Sequence, residues 1–166
     1  EEMIETDDGK IMVNPYNFNN KLVNEKFVTF IFKSFGMDYS PHDISLYQNA
    51  FVHTSYCKKK LATLDSNTEL VEKPEGALPL QENDNERLEF LGDAVLDLIV
   101  AEFLFRGFED KREGDLTQMK SLLVSRTVLA RQARRFGLDA FVLLSAEERD
   151  SGGGRQPSIL CDAFES

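Results

Sequence analysis

The sequence predicts an all-α fold, and three observations carry the prediction. Apolar residues recur at helical spacing in five segments spread along the chain. Helix punctuation falls at the ends of those segments: an asparagine or serine before the start, a proline at the first turn, a glycine after the last residue. No stretch shows the apolar–polar alternation of a half-buried strand, and no internal repeat is present.

The elements follow in order. Residues 1–20 are polar, with Asn14-Pro15 and several further asparagines, and read as a tail or an added arm. From Lys21 to Phe35 apolar residues recur with helical rhythm until Gly36 stops them. A second helix begins with Ser40 as N-cap, Pro41 at the first position and Asp43 in the first turn, and runs to about Phe51 or His53. Between residues 57 and 84 the periodicity is lost, with Pro74, Gly76 and Pro79 as breakers. A structureless segment of that length in a compact domain is disordered, a peripheral insertion, or a functional lid or ligand-contacting loop. Asn85 caps a long helix to about Phe105, and a second long helix is expected from Glu113 to Phe136, ended by Gly137. Phe141–Leu144 starts a short element. Ser151–Gln156 is a glycine-rich connector, and Pro157 opens the last helix.

The bulk properties exclude several classes. The 166 residues suffice for one domain with its own core. No apolar run approaches the roughly 20 residues of a membrane span, and the acidic start lacks the basic and apolar regions of a secretory signal. Cys57 and Cys161 fit neither a disulfide framework nor a zinc spacing, and read as free thiols of a reducing compartment. His42 and His53 lack a third nitrogen or sulfur ligand nearby and read as structural histidines. The net charge of −10 alone argues against nucleic acid as a partner. Its distribution argues differently: residues 116–138 contain no acidic residue but carry Lys120, Arg126, Arg131, Arg134 and Arg135. On one helix Lys120, Arg131, Arg134 and Arg135 would lie within about 100° of one another and form an RNA-contacting face.

The chemistry concentrates at residues 85–97. With each helical residue advancing by about 100°, Glu86, Glu89, Asp93 and Asp97 fall on one narrow face. Leu88, Leu91, Val95, Leu98 and Ile99 fall opposite and should form the core side. Like charges at these spacings repel by a few tenths of a kcal/mol per pair. A solvated surface tolerates that repulsion, and a hard divalent cation turns it into binding. Asp162 and Glu165 repeat the spacing near the other end of the chain. By periodicity alone an exposed acidic face and a metal site both remain open. Phe90 falls near +40° on the same wheel, beside the acidic stripe and away from the leucines.

Residues 85–96, Asn-Glu-Arg-Leu-Glu-Phe-Leu-Gly-Asp-Ala-Val-Leu, resemble the signature motif of the ribonuclease III family. His53-Thr54-Ser55, Glu113-Gly114-Asp115-Leu116, Ser151-Gly152-Gly153 and Ser158–Glu165 are similar to further blocks of that family in the same order. The resemblance covers about residues 27–166 apart from the insertion. It implies the ribonuclease III endonuclease-domain fold, a dimeric helical bundle spanning residues 21–166. It implies a Mg2+-dependent endoribonuclease, Mn2+ able to substitute, that cuts double-stranded RNA and leaves 5′-phosphate and 3′-hydroxyl ends. Glu89, Asp93, Asp162 and Glu165 would be both catalytic residues and metal ligands around one ion position. Glu86 and Glu113 would be auxiliary acidic residues, and Phe90 would anchor the homodimer in a socket of the second subunit. A non-catalytic RNA-binding or dimerisation module of the same fold is the alternative, disfavoured because all four carboxylates are present.

Three departures from the family pattern stand out. The 57–84 segment is longer than the usual link, Cys161 replaces a smaller residue, and the chain stops one residue after Glu165, where the family's last helix continues. The domain therefore reads as C-terminally truncated. No segment resembles a double-stranded-RNA-binding domain, so that module is expected on a missing segment or a separate protein.

Overall fold

The computed structural model describes residues 4–5, 9–61 and 67–166. Residues 1–3, 6–8 and 62–66, parts of the expected arm and insertion, lie outside the described residues. The eight α-helices among the described residues are α1 (Glu25–Ser34), α2 (Ile44–Ala50), α3 (Lys58–Leu61), α4 (Glu86–Gly107), α5 (Glu113–Leu123), α6 (Arg126–Arg135), α7 (Ala146–Asp150) and α8 (Pro157–Glu165). Three short strands, β1 (Ile4–Glu5), β2 (Ile11–Val13) and β3 (Thr68–Leu70), form a small sheet in the order β1-β2-β3. None of these helices is long and apolar enough to cross a membrane.

Local chemistry explains most boundaries. Asn24 caps α1 by accepting the Phe27 N–H at 3.0 Å, so the helix starts four residues later than the periodicity from Lys21 suggests. At α2 the cap is Asp43, whose carboxylate accepts from Ser45 N–H at 2.9 Å. The Ser40-Pro41 start signal therefore lies in the lead-in. The single helix expected from Glu113 to Phe136 is two helices. Ser125 adopts an extended backbone (φ −65°, ψ 142°) and N-caps α6 as a separate element. Gly137, in the left-handed region at φ 72°, ends α6 as the sequence implied.

The arm is fastened to the core. Pro15 is fully buried, and its carbonyl accepts from Ala146 N–H at 3.2 Å. Asn20 brackets Leu144: its amide donates to Leu144 O at 2.9 Å, and its Oδ1 accepts Leu144 N–H at 3.2 Å. Asn17 donates to the same carbonyl at 3.2 Å. Strand β2 pairs in parallel with β3, which lies within the 57–84 segment, and the Lys10–Glu69 ion pair joins their neighbourhoods. The neck of that segment is closed by Lys58 N–H donating to Gln81 O at 2.7 Å and Tyr56 OH donating to Leu78 O at 2.7 Å. The alternation rule gave no sign of these strands because each spans only two or three residues.

The core lies where α1, α2, α6 and α8 meet. Val23, Val28, Ala50, Phe51, Ala130, Ala133, Val142, Leu144, Ile159, Leu160 and Ala163 are buried together. Burying a leucine or isoleucine side chain stabilises by about 1.5–3 kcal/mol, and that drive brings α8 against α6 and across α4. One expectation fails here. Leu91, Val95, Leu98 and Ile99 are exposed, Leu98 to 69%, and Leu104 is the buried residue of α4. Helix α4 touches α8 and α5 over limited lengths, so much of its leucine face is left exposed among the described residues.

Candidate metal centre

Helices α4 and α8 cross at Gly92. A Cβ there would stand 1.5 Å from the carbonyl oxygen of Glu165, so only glycine permits the approach. The crossing sets the closing pair Asp162 and Glu165 against the signature carboxylates of α4. Two fastenings fix the register. Asn85, buried at the head of α4, donates its amide to Ala50 O at 3.1 Å, and its backbone N–H to Val52 O at 2.9 Å. At the other side Ser166 donates from Oγ to Asp162 O at 2.6 Å and to Asn85 O at 3.5 Å.

Burial and charge act on the carboxylates of both helices. Burial raises the Glu89 carboxyl above its usual range, and the charges of Asp162, Glu165, Glu86 and Asp93 raise it further. Glu165 is raised by burial; the Asp93 and Asp162 charges add to this, against a Cys161 hydrogen bond and Arg126. Asp162 is raised by burial, with Arg126 and His53 opposing. Three helix-borne carboxylates whose ionisation burial disfavours make this crossing the candidate site. Donor atoms of Cys161, Asp162 and Glu165 lie within 4.8 Å of one another, the one set of three that meets so closely among the described residues. Glu89 and Asp93 act on that set through their charges from across the α4–α8 crossing.

Other expected site residues are distributed as follows. Glu86 is exposed on the first turn of α4, and its charge acts on Glu89 and His53. Glu113 opens α5, accepts the Thr117 hydroxyl at 2.8 Å, and lines a groove with Ala101, Leu104 and Phe105. That groove lies two to three turns along α4 from Asp93 by helical rise, so one chain does not bring Glu113 to the cluster. Lys120 is held by Asp97 at 2.6 Å. Because α5 and α6 are separate helices, Lys120 does not share a helix face with the arginines. Arg131, Arg134 and Arg135 are exposed on α6, with Arg134 also donating to Arg155 O at 2.5 Å. Phe90 is 82% exposed beside the acidic residues.

Three residues join the site that the motif reading left outside it. Cys161 is buried and donates to Glu165 Oε1 at 3.4 Å; burial and the neighbouring carboxylates push its thiol up to about 12. Arg126, at the head of α6, is the cation whose charge reaches Cys161, Asp162 and Glu165 alike. His53 is held neutral by burial and stands among acidic side chains. Arg126 carried no sequence signal beyond its place in a basic run. His53 carried one, its position in the His-Thr-Ser block.

Comparison with known proteins follows the same lines. A family model described as Ribonuclease-III-like matches residues 43–166. The chain is 39% identical over 125 residues to a protein named Ribonuclease 3 from Enterococcus faecalis, covering 75% of this chain and 47% of that protein. It is 41% identical over 124 residues to a Ribonuclease 3 from Oleidesulfovibrio alaskensis, covering 75% and 46%. It thus spans about half the length of these relatives. The nuclease domain of ribonuclease III from Campylobacter jejuni, a structure described for flexibility in a region involved in dimer formation, superposes with a TM-score of 0.64. The two are 34% identical, and the match covers 86% of this chain and 80% of that one.

Proposed function

The chain belongs to the ribonuclease-III-like family, and on that premise we propose that it is an endoribonuclease domain that cuts double-stranded RNA as a homodimer, using Mg2+ or Mn2+. The observation that supports the reading is the close pairing of Asp162 with Glu165 on α8, on which Glu89 and Asp93 of α4 act through their charges, with burial disfavouring ionisation of Glu89, Asp162 and Glu165. The donor chemistry fits a hard divalent ion. The one soft donor in the cluster, Cys161, keeps its proton at neutral pH and donates to Glu165, so carboxylate oxygens are what the site offers. Asp162 and Glu165 would hold the ion, with Glu89 and Asp93 completing its shell from α4. When bound, the ion would lower the pKa of a water and neutralise charge on the phosphate, the chemistry that leaves 5′-phosphate and 3′-hydroxyl ends.

The protein's own groups then have separable tasks. Gly92 keeps the two helices close enough for both carboxylate pairs to serve one centre. Arg126 offsets part of the negative charge that Asp162 and Glu165 would otherwise present to an RNA phosphate. Arg131, Arg134 and Arg135 supply an exposed cationic face for the duplex backbone. Dimerisation is supported by the uncovered apolar face of α4 and by Phe90 beside the acidic cleft, an arrangement typical of an interface. A long RNA duplex incubated with the chain and Mg2+ should be cut, and the Glu165→Gln variant should be inert while remaining folded. Equal cleavage by both proteins, or none by the wild type at any divalent-ion concentration, would refute the proposal.

A further inference from the structure

The Glu165 carboxylate stands at the end of α8 with a single hydrogen-bond donor beside it. Its backbone is held on two sides. The carbonyl oxygen lies 1.5 Å from where a Cβ of Gly92 would stand, so it is pressed against α4. Ser166 N–H donates to Asp162 O at 3.0 Å and closes the last turn. Neither contact restrains the carboxylate itself, and glutamate is among the side chains with most rotamer freedom to lose when fixed. Among the described residues the one side chain that donates a hydrogen bond to this carboxylate is Cys161, from Sγ to Oε1 at 3.4 Å.

The thiol is well placed for that task. Cys161 lies one turn before Glu165, a spacing at which side chains of one helix meet. It is 4% exposed, and its neighbours Ile159, Leu160 and Ala163 are buried in the core, so the stem that carries the sulfur is fixed. Donor atoms of Cys161, Asp162 and Glu165 all lie within 4.8 Å of one another, which sets the thiol at the edge of the ion position. A hard ion takes oxygen in preference to sulfur. A protonated thiol beside a carboxylate acts instead as a donor, although a weak one.

We propose that Cys161 is a positioning residue of the metal centre: its S–H donates to Glu165 Oε1 and restricts the rotation of that carboxylate before an ion arrives, while the sulfur itself stays off the ion. The inference rests on the metal reading above. Ordering in advance matters because freedom already lost is not lost again on binding. Hydrogen-bond partners of metal ligands typically contribute about 10–100-fold in metal affinity, and a thiol, as a weak donor, belongs at the lower end of that range. Packing and positioning separate by chemistry here: the volume of the side chain serves the first, and its proton serves the second.

Two measurements on the full chain without RNA test it. The first is the infrared S–H stretch of Cys161, isolated as the difference between wild type and Cys161→Ala so that the other thiol, Cys57, cancels. The band should lie below that of an unbonded thiol and rise in Glu165→Gln, whose neutral amide is a weaker acceptor than a carboxylate. The second is Mn2+ binding read by electron paramagnetic resonance, with circular dichroism confirming that each variant folds. Cys161→Ala should weaken binding by about 10-fold. Cys161→Ser, which keeps a donor, should stay near the wild type. Cys161→Thr and Cys161→Val share one shape and differ by the hydroxyl, so they repeat the contrast if the smaller variants fail to fold. Wild-type affinity in Cys161→Ala, or equal affinity within either pair, would overturn the proposal and leave the cysteine a packing role. An S–H band that vanishes when Mn2+ binds would overturn it too, by making the sulfur a ligand. A wild-type chain that binds no Mn2+ defeats the metal reading and this inference with it, whereas an S–H band indifferent to Glu165→Gln defeats this inference alone.

Discussion

Replacing Gly92 with alanine adds one methyl group where α4 and α8 cross, and its consequences follow from one distance. The new Cβ would lie 1.5 Å from the Glu165 carbonyl oxygen and 2.7 Å from its carbon, whereas real Cβ atoms essentially never come within 3.0 Å of such neighbours. The obstacle is backbone, so no side chain can swing away, and the crossing must open by at least about 1.5 Å. Overpacking of this kind costs about 1–3 kcal/mol. Alanine returns up to about 1 kcal/mol through its better helix propensity. The net loss is therefore roughly 0–3 kcal/mol, a fall in Tm of at most about 12 °C for a domain of this size. Activity should suffer more than stability, because ion–oxygen bonds are only about 2.1 Å long and a misplacement near 1 Å costs on the order of 100-fold in rate. Gly107→Ala and Gly114→Ala are the controls. Nothing lies within 4 Å of a Cβ at either position, so both should be neutral or stabilise by up to about 1 kcal/mol. Thermal unfolding and cleavage of a long duplex measure both quantities. A Gly92→Ala protein with the wild-type rate would show that the crossing does not set the site's geometry.

Four further outcomes are expected. Glu165 has a raised folded-state pKa, so its ionisation costs stability that is present below its usual value of 4.5 and lost as pH rises through the folded value. Metal-free Glu165→Gln should therefore melt higher than wild type near neutral pH, the gap closing as pH falls towards about 4, and added Mn2+ should stabilise the wild type alone. Asn20→Ala removes both bonds to Leu144 and leaves the buried Leu144 N–H unpaired, while its carbonyl keeps Asn17 as donor, so denaturant unfolding should show a loss of about 1–3 kcal/mol. Phe90→Ala should shift sedimentation towards monomer by about 2 kcal/mol or more, the range of an interface hot spot; an unchanged dimer would remove Phe90 from the interface. Neutralising Arg131 and Arg134 should flatten the salt dependence of duplex binding by about one unit of slope for each phosphate no longer neutralised, whereas Lys120→Ala, already engaged by Asp97, should change it less.

What was legible in the sequence divides along a physical line. Helical geometry puts Glu86, Glu89, Asp93 and Asp97 on one face of α4 and Asp162 and Glu165 three residues apart on α8, which leaves an acidic surface and a metal site both open; the narrower set of Glu89, Asp93, Asp162 and Glu165 comes from the family resemblance. Boundaries set by competing local signals were less legible. Ser40-Pro41 and Asp43 both offer a helix start, and the choice falls to the residue whose carboxylate reaches the Ser45 N–H. Ser125 sits inside an unbroken apolar rhythm, and periodicity does not reveal that its backbone is extended. Cys161 and Arg126 were invisible as site residues for a different reason. Their importance lies in what α8 and α6 bring beside them, and no spacing rule encodes that.

The leucine face of α4 shows where sequence pattern and burial part company. An apolar stripe opposite an acidic one is evidence that the stripe is covered, but it carries no information about what covers it. The inference from Leu91, Val95, Leu98 and Ile99 to this chain's own core takes a monomer for granted. In the structure these side chains are exposed, while Leu88, one turn earlier, packs partly against the core. The acidic residues of α4 act on the α8 carboxylates, and the end of α8, at Glu165 and Ser166, borders Leu91, Val95 and Ile99 on the other side of α4. The apolar face of α4 is turned outward, continuous with Phe103 and flanked at its head by Phe90. A soluble domain rarely leaves so long an apolar face in water. The same helix that organises the proposed chemistry is therefore the one through which assembly would act on it. On this argument a substitution such as Leu98→Glu, on the exposed apolar face, should disturb assembly first and leave Mn2+ binding by the isolated chain intact.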